Sequence, residues 1–160
     1  MLGGVRDPDP LQTPELAFLT ALWDVWQALS ERGEAELRER HGLDLRSFIA
    51  LAYVQGGTTQ PAALARELGV PRYEVSRVLA ALEAGGAVTR GHHGPDARRV
   101  TVRVTPAGRA LWEAALETVR GVTGPALAVL PPAARAGLPP SLAAVAQAAR
   151  SLAPSQEMTP

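Results

Sequence analysis

Apolar residues recur at helical spacing along most of this chain and switch to strict alternation in one short stretch. Thr13-Pro14 pairs an N-cap hydroxyl with a proline at the first helical position, a good start for a first helix. That helix carries two adjacent apolar stripes, Leu16/Leu19/Trp23/Trp26 and Phe18/Leu22/Val25/Leu29. Such an arc is wider than one small core needs, so it predicts contact with a second surface. Residues 33–42 are charged and read as a helix end with a connecting turn. Asp44 caps a second helix whose Leu45, Phe48, Ile49 and Ala52 face inward, and Gly56-Gly57 ends it. Thr58-Thr59 is a candidate short strand.

Pro61 opens a third helix that Gly69 closes, in the position where a left-handed residue is needed. A fourth runs from Pro71 or Arg72 to Ala84, burying Val75, Val78, Leu79 and Leu82. The period then becomes two: Val88 and Arg90, then Val100, Val102 and Val104, alternate with polar residues around GHHGPDA. Thr105-Pro106 starts a long helix that Gly124-Pro125 weakens or ends. Residues 131–152 read as Ala-rich helix interrupted by Pro139-Pro140, with Ser141 a new cap.

The fold class is therefore mainly α with a small β-hairpin wing. A winged helix-turn-helix core (43–104) is flanked by an N-terminal helix and connection (13–42) and C-terminal helices (105–153). Residues 1–12 and 154–160 are expected to be flexible tails.

Composition narrows the function. The 160 residues contain no cysteine, which excludes a thiol switch and a Cys-based zinc site. The chain's start lacks an apolar signal core and no apolar run is long enough to span a bilayer, so a cytoplasmic protein without membrane contact is expected. No nucleophile–base–acid cluster and no phosphate-cradling loop with Lys is visible, so the expectation is no enzyme, no catalytic residue and no cofactor. His92 and His93 lack a third ligand and read as a polar turn, not a metal site. Net charge is zero, but between Arg66 and Arg109 eight arginines face four acids. The basic excess is local, as expected of a surface patch for double-stranded DNA.

Three stretches, HGLDLRSFIAL, LARELGVPRYEVSRVLAALEAGGAVTR and PDARRVTVRVTPAGRAL, carry a resemblance to the MarR family of bacterial winged-helix regulators over residues 13–152. The most specific part is Asp96-x-Arg98 in the wing, followed by the alternating strand and Thr105-Pro106-x-Gly108. The resemblance implies a homodimer on a pseudo-palindromic site, with the N-terminal helix (13–42) and the C-terminal helices (105–153) as its dimerisation helices, and relief of binding by a small aromatic or anionic ligand. The chain departs from the family at Pro71, where a small polar cap is usual, and at the prolines of its C-terminal helices.

On the recognition helix, Arg72, Tyr73, Glu74, Ser76 and Arg77 lie off the inward set. Arg77 suits a guanine edge, and Ser76 a phosphate or pyrimidine. Arg77 paired with Glu74 on a solvated helix face is the competing reading. Arg98 is the minor-groove candidate at the wing tip, Arg99 reaches phosphate, and Asp96 supports the wing. Trp26, Arg46 and Tyr53 are the ligand-pocket candidates, although paired aromatics such as Trp23 and Trp26 more often pack. The function expected is a DNA-binding transcriptional repressor. The alternative is a winged-helix protein-interaction module without an operator of its own.

Overall fold

The computed structural model describes residues 13–92 and 100–152. Six helices and one hairpin follow in the order α1 (Pro14–His41), α2 (Leu45–Gln55), α3 (Pro61–Leu68), α4 (Arg72–Ala84), β1 (Val88–His92), β2 (Val100–Val104), α5 (Pro106–Ala128) and α6 (Pro132–Leu152). The chain divides into two compact units, residues 1–122 and 123–160.

In the first unit, α2, α3, α4 and the hairpin enclose one core. Leu37, Leu51, Leu64, Val75, Leu79, Val88 and Val102 are its most fully buried side chains. Each turn obeys local chemistry. The Thr13 hydroxyl accepts from the Leu16 N–H and Asp44 from the Ser47 N–H, capping α1 and α2. Gly69 closes α3 at φ 64, a conformation a side chain resists. The antiparallel hairpin pairs Val88 with Val104, Arg90 with Val102 and His92 with Val100. Its valines pass from fully buried at Val88 and Val102 to 40% exposed at Val100, so the wing leaves the core as it extends.

Several local expectations are corrected. The charged segment 33–42 is no connection: α1 continues through it to His41, because Gly33 and Leu37 are buried one turn apart and Gly42 ends the helix in the left-handed region. Thr58-Thr59 forms no strand, but the Thr59 carbonyl accepts a 2.7 Å hydrogen bond from the Val102 N–H at the hairpin's edge. Pro125 lies inside α5, which runs on to Ala128. Gly124 contributes to the tolerance: with no Cβ, it removes part of the clash that normally drives the residue before proline out of the helix.

The second unit is described by itself. Here α6 is continuous through Pro139 and Pro140, and Ser141 is not a cap. Its hydroxyl bonds back to the Gly137 carbonyl at 2.7 Å within the same helix. At the turn before α6, the Arg135 guanidinium donates to the carbonyls of Leu127, Ala128 and Leu130 and so ties up the end of the preceding helix.

Candidate nucleic-acid interface

The turn between α3 and α4 fixes how the recognition helix is presented. After Gly69, the Val70 N–H bonds to Ala65 O at 3.1 Å, and Pro71 takes the N-cap position with extended backbone. Proline has no side-chain acceptor, so α4 begins without a side-chain cap. This gives the Pro71 departure a concrete meaning. The Glu74 and Val75 N–H groups close onto Pro71 O, and the amide dipoles of the first turn keep their positive end toward solvent.

From that start α4 divides cleanly. Val75, Val78, Leu79 and Leu82 are buried; Arg72, Tyr73, Ser76 and Arg77 are exposed. Tyr73 is 64% exposed, a large apolar ring with no core to fill. The Ser76 hydroxyl donates to Arg72 O at 3.1 Å, leaving its oxygen free to accept.

Arg77 is not paired with Glu74. Glu74 is held instead by Arg46 of α2, and the Tyr73 hydroxyl lies 3.4 Å from its other carboxylate oxygen. The Arg77 guanidinium therefore has no carboxylate partner among the described residues. Sequence reasoning missed this Arg46–Glu74 pair, since 28 residues separate the two and no local spacing signals it.

A second unpredicted pair ties the wing to the recognition helix. Glu83, near the end of α4, accepts from the Arg90 backbone N–H at 3.0 Å and from its Nε at 2.8 Å. These hydrogen bonds hold the Glu83 carboxyl below the usual carboxylate range. The signal in the sequence was opposite charges on either side of the Gly85-Gly86 turn.

The far side of the hairpin is anchored by Thr105. Its hydroxyl donates to Gly86 O at 2.6 Å and accepts from the Gly108 N–H at 2.9 Å, capping α5 while gripping the turn after α4. Arg98, Arg99 and Asp96, the expected wing-tip residues, lie outside the described residues, as does His93.

At the base of the recognition helix, Asp44 titrates below its ordinary value. Burial pushes its carboxyl up, but the hydroxyl and N–H of Ser47, with Arg38 and Arg46 nearby, outweigh it.

The ligand candidates Trp26, Arg46 and Tyr53 are brought together. They line one cavity of about 420 Å³ with Glu34, Leu45, Ile49, Glu67, Leu68 and Val70. Trp23 and Trp26 are not packed within the chain: they are 60% and 56% exposed. No described helix is long and apolar enough to cross a membrane.

The sequence model of the MarR family matches residues 41–99. No curated protein matches the chain. Among solved structures, the chain is similar to the transcriptional regulator BldR from Sulfolobus solfataricus, at TM-score 0.75 and 21% identity over 83% of this chain and 94% of that one. It is similar to CouR from Rhodococcus jostii RHA1 bound to p-coumaroyl-CoA, at TM-score 0.75 and 20% identity over 84% and 95%. It is also similar to the Mycobacterium tuberculosis MarR family protein Rv2887 in complex with DNA, at TM-score 0.64 and 27% identity over 84% and 98%.

Proposed function

We propose that the chain, whose residues 41–99 match the MarR family model and whose fold matches MarR-family regulators, is a homodimeric repressor of that family that binds a pseudo-palindromic operator and is relieved by a small ligand. On this reading it is a regulator and not an enzyme. The observation that carries the DNA reading is the unpaired polar face of α4. Arg72, Tyr73, Ser76 and Arg77 share that face while the one acid among them, Glu74, is neutralised from α2. A recognition helix so arranged enters the major groove, and the Arg98 wing reaches the flanking minor groove.

The dimer reading rests on α1. Phe18, Leu19, Leu22, Trp23 and Val25 are all at least 40% exposed on one helix, an apolar surface that water disfavours. A second copy covers it with the same surface, as a two-fold interface requires. Two recognition helices then fall about one helical turn, roughly 34–36 Å, apart.

The test is a gel shift with DNA from upstream of the protein's own gene, together with sedimentation of the free protein. A dimer that shifts this DNA at low salt, and loses the shift in Arg77→Ala and Arg98→Ala with the dimer intact, supports the proposal. A monomer, or unchanged binding in both variants, refutes it; the latter favours a protein-interaction module.

A further inference from the structure

The ligand cavity offers a more specific reading once its charges are paired off. Three charged residues besides the neutral lining face it: Arg46, Glu34 and Glu67. Arg46 is engaged by Glu74. Glu34 is engaged by Arg38 at 2.6 Å. Glu67, exposed at the end of α3, has no hydrogen-bond or ion-pair partner among the described residues. What remains in the cavity is one uncompensated negative charge beside two aromatic rings, Trp26 and Tyr53, and an aliphatic wall of Leu45, Ile49, Leu68 and Val70.

An anion entering this space meets the Glu67 carboxylate and an Arg46 whose charge Glu74 already offsets. A cation meets an unpaired carboxylate and the electron-rich faces of an indole and a phenol. The volume, about 420 Å³, is that of a drug-sized pocket. We propose that the cavity between α1, α2 and α3 binds hydrophobic organic cations, with Glu67 as counter-ion and Trp26 and Tyr53 as the stacking faces. This deepens the effector part of the proposed function and rests on it only for the consequence on DNA; binding itself is independent of any operator.

The test is calorimetric titration of the full-length protein, without DNA, with benzyltriethylammonium and with 4-tert-butylbenzoate, an anion of similar size. Saturable binding of the cation is expected, with quenching of Trp fluorescence and much weaker binding of the anion. Glu67→Gln, a neutral isostere on an exposed site that leaves the fold intact, should weaken the cation at least about tenfold and leave the anion unaffected or improved. Trp26→Leu should weaken the cation and remove part of the quenching.

Preferential binding of the anion with loss in Arg46→Ala overturns the proposal, as does binding of neither probe, or of the cation equally well in Glu67→Gln. Failure of the gel shift alongside intact cation binding would count against the regulatory reading and not against the site.

Discussion

Gly108 is the residue on which the junction of wing and helix α5 most depends, and its replacement by alanine gives a sharp test. A Cβ built at Gly108 lies 1.9 Å from the Ala87 carbonyl oxygen, 2.7 Å from its carbon and 2.9 Å from its Cα. The obstacle is backbone, not a side chain that can swing aside. Reaching 3.4 Å, the onset of ordinary contact, requires the two segments to separate by about 1.5 Å. The Ala87 carbonyl cannot retreat freely, because it accepts from the Thr105 N–H at 3.0 Å. Ala87 and its neighbour Val88 are 2% and 1% exposed, so the movement also opens the core. Overpacking costs about 1–3 kcal/mol and each weakened hydrogen bond about 1 kcal/mol, against a small gain in helix propensity. The expected loss for Gly108→Ala is therefore ~2–4 kcal/mol. For a chain of this size that corresponds to a fall in melting temperature of about 5–15 °C. Thermal denaturation at fixed protein concentration measures it. A melting temperature unchanged or raised would refute the close approach, leaving helix propensity as the only effect of the substitution.

Asp44→Ala removes the α2 cap and should cost ~1 kcal/mol near neutral pH, read by urea denaturation. Burial raises the Asp44 pKa but hydrogen bonds and arginines lower it further, so the net depression stabilises the fold above the unfolded-state value. The gap between wild type and Asp44→Ala should accordingly close as pH falls through and below 3.8. Trp23→Glu, which places a charge on the exposed face of α1 where the proposed two-fold contact lies, should leave the protein monomeric in sedimentation with the winged core still folded by circular dichroism. Glu83→Ala releases Arg90 and the base of the wing from α4, so DNA affinity should drop while the melting temperature barely moves; equal DNA affinity would show that the pair does not position the wing.

What could be read from the sequence followed how local each determinant is. The helix-turn-helix was legible because Gly69, the spacing of Val75, Val78, Leu79 and Leu82, and the alternation in β2 are all local signals. The end of α1 was not, because Leu37 is a lone apolar residue among charges and only its burial in the folded chain identifies it as core. Prolines misled for a related reason: their cost to a helix is local, at roughly 3 kcal/mol, but what offsets it at Pro125, Pro139 and Pro140 is not proline chemistry. Gly124 eases one clash, and the remaining cost in α6, which buries no residue of its own, calls for a packing surface beyond it.

The candidate site shows the same limit in electrostatic form. In the sequence Arg46 is a free cation and thus a hook for an anionic ligand, and Glu74 is a free acid available to Arg77. Folding spends both charges on each other, across 28 residues. That one pairing leaves Arg77 without a carboxylate partner among the described residues and leaves Glu67 as the unpaired charge lining the cavity. The sign of a binding site is set by which charges remain after pairing, and residue types alone do not show which charges those are.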